Sequence, residues 1–392
     1  MLVRKIRYII FLKDVLFLSV GAFGGPQAHL ALYLDRLVRK RGYLTEEELI
    51  ELNALCQALP GPTSTQTLTA VGYKIGGPNL AYLTLLMWVL PAFILMTTFG
   101  LMISFFSETG ISTDFTKFIQ PMAVGFVAYA AFIISFKVIK TYEASAIMII
   151  SAILSYMVKS PYLLPFLLLA GGAITAIKYK AHPREEKKKL KINWSNFLLW
   201  LGVLLSLALL GHVTQFKAIK LFENFYRNGS LIFGGGQVLI PLLYTEFVEF
   251  KEYLSSEEFL TGYAAVQSVP GPVFSFTSYI GALSMREYGI GGEILGGFLA
   301  TVGIFLPGTF FIFFVYGFWE QLKKYRIVKA SLEGINAASS GMVASATFLL
   351  FEPIEPAFIN LFFLIGTFCL LMFTKIPAPL IILTGLLLGL VI

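Results

Sequence analysis

The sequence predicts an all-α, polytopic integral membrane protein made of two inverted-topology repeats, with broken or re-entrant helices meeting near the membrane midplane. Three observations lead there. Of 392 residues, 57% are hydrophobic and 14% charged, against about 45–50% and about 25% in an average soluble domain. The second observation is an internal repeat at a fixed offset. The third is that matched loops of the two copies carry opposite charge bias.

Composition excludes a soluble enzyme, because that much apolar surface cannot be hidden in one soluble core. Cys56 and Cys369 lie far apart in hydrophobic stretches, so neither a disulfide framework nor a cysteine metal site is readable. His29, His182 and His212 show no ligand spacing, and no metal or cofactor is expected. The net charge of +7 reads as cytoplasmic loops of a membrane protein, not as a nucleic-acid surface. The first residues, with Arg4, Lys5 and Arg7 before an apolar run, look like a signal peptide. Lys13 and Asp14 interrupt that run and no small-residue cleavage site follows, so a retained membrane segment is expected.

The repeat pairs 23–62 with 233–272 without a gap, and 15 of the 40 positions are identical. Phe23-Gly24-Gly25-Pro26-Gln27 matches Phe233-Gly234-Gly235-Gly236-Gln237, and Gln57-x-x-Pro60-Gly61-Pro62 matches Gln267-x-x-Pro270-Gly271-Pro272. Further on, Leu90-Pro91 matches Leu306-Pro307 and Gly125 matches Gly341. The chain therefore divides into an N-terminal repeat (1–177), a basic cytoplasmic linker (178–193), one extra transmembrane helix (194–212) and a C-terminal repeat (213–392). Strong spans are expected near 79–106, 118–136, 143–158 and 161–177, with counterparts near 294–319, 335–351, 357–373 and 377–392. Several are short of the roughly 20 residues a bilayer needs. Ahead of them, each repeat has two helix–break–helix elements, one at the Gly-Gly motif and one at Pro-Gly-Pro.

Loop charges set orientation, because Lys and Arg collect on the cytoplasmic side. Residues 35–43 carry Arg36, Arg39, Lys40 and Arg41 against Asp35, whereas 245–253 carry Glu246, Glu249 and Glu252 against Lys251. Residues 107–117 are net acidic while 321–329 have four basic residues; 137–143 are net basic while 352–356 are acidic. The odd helix between the repeats supplies the flip, as in inverted-repeat transporters. The expected location is the plasma (inner) membrane, with the N-terminus cytoplasmic and the C-terminus external.

Irregular backbone inside a bilayer survives only where protein or a water-filled cavity satisfies its N–H and C=O groups. Four breaks in symmetric positions thus point to one central site. Pro26, Pro62 and Pro272 would open new helices, whose free N–H groups and dipole favour an anion. Thr63, Ser64, Thr65 and Thr67 follow in one copy, and Ser275, Thr277 and Ser278 in the other; Gln27, Gln57, Gln237 and Gln267 add neutral amides. Neutral donors suit a tetrahedral oxyanion better than a metal cation, which wants clustered carboxylates. The proposed ligand set is Gly24, Gly25, Pro26, Gln27, Gln57, Pro60, Gly61, Pro62, Thr63, Ser64, Gly234, Gly235, Gly236, Gln237, Gln267, Pro270, Gly271, Pro272 and Ser275. The opposing reading is that such breaks are kinks or close-packing points, with hydroxyls bonding their own helix.

Ionisable residues at membrane depth form a second group. Lys13 and Asp14 read either as a charge pair or proton relay, or as a snorkelling lysine beside a packed acid. Arg227, where the first copy has Phe17, could neutralise a dianion; His29, one turn past the first break, reads as a proton coupler or a packed histidine. Lys74 and Arg286 read as helix C-terminal caps, and Tyr33, Tyr73, Tyr263 and Tyr279 as packing residues.

At these motifs the chain resembles the chromate ion transporter family in its long-chain, two-domain form. The similarity is strongest over 20–77 and 230–283. The resemblance implies a plasma-membrane carrier of oxyanions, with chromate efflux driven by membrane potential or proton gradient and sulfate as structural mimic. Gly236, where the first copy has Pro26, departs from the pattern and implies a looser second break. The expected function is secondary active oxyanion transport by alternating access, most simply chromate efflux; an uptake carrier for sulfate or a related anion is the alternative. An intramembrane enzyme is disfavoured because no nucleophile–base pair or phosphate loop is visible. Protons as coupling ion and a homodimer both stay open.

Overall fold

The structure is a computed structural model and describes residues 2–23, 25–110, 114–177, 192–233, 236 and 238–391. The basic linker expected at 178–193 lies almost wholly outside the described residues. Among the described residues there are seventeen α-helices and no strand. Five helical stretches are long and apolar enough to cross a bilayer: Pro78–Thr109, Ile119–Val138, Ser195–Thr214, Arg286–Val315 and Arg326–Phe351. Tyr142–Met157, Leu163–Ile177, Phe358–Phe373 and Ala378–Val391 are shorter apolar helices. Each falls on an expected span, including the odd helix without a counterpart.

The helices form two compact units, and neither coincides with a sequence repeat. The first comprises Met1–Ser104, Asn193–Gly235 and Val266–Tyr316. It holds α1 (Leu2–Gly21), α2 (Gly25–Tyr33), α3 (Glu46–Gln57), most of α4 (Thr63–Thr109), α8 (Ser195–Thr214), α9 (Lys217–Leu231), α12 (Phe276–Ser284) and α13 (Gly289–Val315). Glycines let α13 press on its neighbours. A Cβ on Gly281 would lie 2.3 Å from the Gly296 carbonyl, and one on Gly229 would lie 2.4 Å from the Ile304 carbonyl. Small residues at such crossings are how membrane helices gain dispersion contact.

The second unit comprises Phe105–Ile192, Gly236–Ala265 and Gly317–Ile392. Here α15 (Arg326–Phe351) packs against α5 (Ile119–Val138), α6 (Tyr142–Met157) and α7 (Leu163–Ile177). The same device recurs: a Cβ on Gly341 would lie 2.2 Å from the Met148 carbonyl, and one on Gly125 2.7 Å from the Leu364 carbonyl.

Local geometry repeats between the halves beyond what identity alone implies. π-Helical turns span Leu34–Lys40 and Thr245–Phe250. Each is closed by the same bond, Tyr43 N–H to Leu37 carbonyl and Tyr253 N–H to Phe247 carbonyl, both 2.9 Å. Gly42 and Glu252 occupy the same left-handed position, at φ +61° and +52°. The next helices, α3 and α11 (Ser256–Gln267), start from matching capping boxes. Thr45 Oγ1 accepts from Glu48 N at 3.2 Å while Glu48 Oε2 accepts from Thr45 N at 2.9 Å. Ser255 and Glu258 do the same at 3.1 and 2.9 Å. Replacing Thr45 by alanine is expected to cost about 1 kcal/mol, read as a lowered thermal midpoint in detergent with transport per folded molecule unchanged.

Candidate functional site

Two of the breaks carry the same unusual backbone. Gly61 sits at φ +121° and Gly271 at φ +115°, a region that side-chain-bearing residues avoid. Each directs its N–H into the other repeat. Gly61 N–H donates to the Ile232 carbonyl at 2.7 Å, and Gly271 N–H to the Ala22 carbonyl at 2.8 Å. Ile232 and Ala22 are the last residues before the Gly-Gly motifs. Within the first unit, each Pro-Gly-Pro break is therefore tied to the opening of the other copy's Gly-Gly break. Buried backbone groups at a break must find partners, and here the duplication supplies them reciprocally.

The first Pro-Gly-Pro leads into α4. Its first intrahelical bond runs from Gln66 N–H to the Pro62 carbonyl at 2.9 Å, so Thr63, Ser64 and Thr65 contribute the N–H groups a helix cannot satisfy itself. Gln66 folds back over the break, its Nε2 donating to the Pro60 carbonyl at 2.7 Å. The amide fits because two glycines face it. An ideal Cβ on Gly61 or on Gly308 would lie 2.7 Å from Gln66 Nε2. In the other copy Gly271 faces Ala92, with 3.0 Å between the would-be Cβ and the alanine methyl.

α2 is held over the same turn. His29 Nδ1 and Ser64 Oγ share a hydrogen bond of 3.1 Å, and Tyr33 OH donates to the Ser64 carbonyl at 3.3 Å. Trp88 packs edge-on to both His29 and Tyr33 and donates from Nε1 to Thr65 Oγ1 at 3.1 Å. His29, Tyr33, Ser64, Thr65 and Trp88 are all buried. After the second Pro-Gly-Pro, Ser275 N–H donates to the Pro272 carbonyl at 2.9 Å. Three donors there are buried without a hydrogen-bond partner: Gln267 Nε2, Ser268 Oγ and Ser275 Oγ.

The expected ligands divide accordingly. Pro60, Gly61, Pro62, Ser64, Gly271, Pro272 and Ser275 are buried, and Thr63, Gln267 and Pro270 half-buried. Gly25 takes φ +77° at the start of α2, with Pro26 in the first turn. Gln27 and Gln57 point outward and are exposed. Gly236 lies in a turn; Gly24, Gly234, Gly235 and Gln237 lie outside the described residues. Thr67, Thr277 and Ser278 donate to their own helix, to the Thr63, Phe274 and Ser275 carbonyls at 2.8 Å each.

The ionisable residues take partners the sequence did not suggest. Asp14 bonds Arg36, Arg41 and Tyr43, while its neighbour Lys13 is exposed. Arg227, read as able to neutralise a dianion, is paired within its own helix: its Nε lies 3.0 Å from Glu223 Oε1, one helical turn away. Lys74 pairs with Glu48 at 2.5 Å. Sequence reasoning passed over Gln66, Trp88, Gly308 and Ser268. The one legible signal was Gln66, a polar residue in the first turns after Pro62.

The duplicated, broken-helix, all-α architecture defines a polytopic membrane protein of transporter type. The chromate transporter family matches residues 10–176 and again 219–390. The chain belongs to this family. It is 26% identical over 383 residues to a chromate transport protein of Cupriavidus metallidurans, covering 96% of this chain and 91% of that protein. It is 26% identical over 344 residues to a chromate transport protein of Pseudomonas aeruginosa, covering 84% of this chain and 78% of that one. An uncharacterized transporter of Methanocaldococcus jannaschii is 26% identical over 382 residues, covering 95% of this chain and 92% of that protein. No solved structure matches the chain.

Proposed function

We propose that the protein is a secondary active transporter of tetrahedral oxyanions that exports chromate by alternating access. The observation that carries this reading is the pair of reciprocal breaks, where helix-start N–H groups and unpartnered buried donors gather without a carboxylate among them. The ligand set centres on the N–H groups after Pro62 and Pro272, with Ser64, Gln267, Ser268 and Ser275. Gln27 and Gln57 are demoted by their exposure. Rocking one repeat against the other would break the Gly61–Ile232 and Gly271–Ala22 bonds, which both lie within the first compact unit. The inverted repeats are 1–177 and 213–392, in the inner membrane with the N-terminus cytoplasmic and the C-terminus external.

Everted vesicles carrying the protein should accumulate labelled chromate above empty vesicles under an imposed potential or proton gradient; no substrate-dependent flux would sink the transport reading. Reversed direction of flux, with sulfate preferred, is what the uptake alternative requires. Ser64→Ala should raise the apparent KM for chromate about fivefold, the loss of roughly 1 kcal/mol of hydrogen bonding. Gln57→Ala should leave it unchanged. Unaltered transport in both would remove Ser64 from the site.

A further inference from the structure

Gln66 is 3% exposed, and only one end of its amide is bonded. The orientation of the group is set by its partner. The Pro60 carbonyl can only accept, so the NH2 end must face it. Oε1 therefore points the other way, buried and without a partner. Gln66 stands in the first turn of α4, the helix that starts from the break. A buried acceptor left unpaired in a native structure calls for an explanation, and a donor carried by the ligand supplies one.

A tetrahedral oxyanion bearing one proton offers several acceptor oxygens and one O–H donor. The first-turn N–H groups of α4 suit the oxygens, and Gln66 Oε1 suits the O–H. We infer that Gln66 reads the substrate's proton, so that the site takes the monoprotonated oxyanion and turns away the fully ionised one. This rests on the anion-site reading above and adds its selectivity. Chromate keeps its last proton up to near-neutral pH, whereas sulfate keeps its own only in strong acid. A fixed acceptor thus separates two anions of the same shape, because a fully ionised anion leaves Oε1 facing oxygen lone pairs. Asn228 on α9 is also buried with neither amide atom bonded, but its amide can turn either end to a ligand and so discriminates nothing.

The titratable groups on elements around Gln66 are His29 and Tyr33 on α2 and Cys56 on α3. Gly308 and Ile232 bring backbone only. Their influence on pH dependence cancels in a ratio, since sulfate does not titrate between pH 6 and 8.5 and reports the protein's groups alone. The experiment measures binding of labelled chromate and labelled sulfate to the full chain in nanodiscs across that range. The chromate-to-sulfate affinity ratio is expected to exceed ten at the acidic end. It should fall as chromate loses its proton, by at most about tenfold per pH unit, and level off near one. Gln66→Met should flatten the ratio and bring it towards one. A ratio independent of pH in the unmodified protein, with both anions bound, overturns the role of Gln66 and leaves the anion site standing. Binding of neither anion at any pH overturns the site itself.

Discussion

Gly61→Ala is expected to abolish chromate transport and to lower the thermal midpoint of the detergent-solubilised protein. Two costs meet at this residue. The backbone at φ +121° is strained for alanine by about 1–3 kcal/mol. The added methyl would also lie 2.7 Å from Gln66 Nε2 and 3.2 Å from its Cδ. The amide is the free end of a side chain and can swing aside. The Pro60 carbonyl then loses its donor, at about 1–3 kcal/mol for a buried group left unpaired, and Oε1 leaves its position. The Gly61–Ile232 bond, which joins the two repeats, is disturbed by the same substitution. Gly110→Ala separates the two effects. Gly110 is also left-handed, at φ +68°, but nothing lies within 4 Å of its would-be Cβ. It should carry the conformational cost alone and transport normally per folded molecule. Equal loss of transport in both variants would mean that backbone strain, not the Gln66 slot, governs the first result. Gly308→Ala offers an independent approach to the same amide, since its Cβ would meet Gln66 Nε2 at 2.7 Å from an ordinary helical backbone.

The elements were legible because the chain states them twice. A lone Pro-Gly-Pro is weak evidence, but two at one offset marked both breaks, and the capping boxes at Thr45 and Ser255 are visible as Thr-x-x-Glu and Ser-x-x-Glu. Local signals of this kind survive in a one-dimensional reading. What stayed hidden is non-local. Nothing near Gly308 announces that its missing side chain makes room for Gln66, and the reciprocal bonds to Ile232 and Ala22 join backbone groups of any residue type. Gln57 shows what a motif leaves unsaid. It shares a motif with Pro60-Gly61-Pro62, yet the buried face of α3 is Leu49, Leu52, Leu55 and Cys56. The next residue is rotated by about 100° out of that face. Motif membership located the break without telling which side chains point into it.

Asp14→Asn is the second variant expected to act strongly, through stability. Lys13 and Asp14 are adjacent in sequence, but neighbours on a helix diverge, and the structure pairs Asp14 with the basic turn after α2. Its Oδ1 accepts from Arg36 Nε at 2.9 Å and Arg41 Nη2 at 3.0 Å, and its Oδ2 from Tyr43 OH at 3.0 Å. The carboxylate is 2% exposed, and the guanidiniums of Arg36 and Arg41 are 28% and 41% exposed. Removing one partner of a fully buried ion pair costs about 3–5 kcal/mol. Water reaches both arginines here, so a loss of about 1–3 kcal/mol is expected. The repeat makes the comparison sharper: the equivalent of Asp14 is Asn224, and those of Arg36 and Arg41 are Glu246 and Lys251. In the second copy Asn224 stands where the first has the carboxylate of Asp14. In the second, Glu246 and Lys251 stand 3.8 Å apart. A clasp and a proton relay give opposite outcomes for the same substitution. If Asp14 is a clasp, Asp14→Asn lowers the thermal midpoint while folded protein still transports, and Arg36→Gln added to it costs less than on its own background. If Asp14 relays protons, folded Asp14→Asn protein loses proton-driven transport, and the two substitutions add. The three hydrogen-bonding groups around one carboxylate, Arg36, Arg41 and Tyr43, with Lys13 turned outward, favour the first outcome, because a relay needs a proton acceptor free to let its proton go.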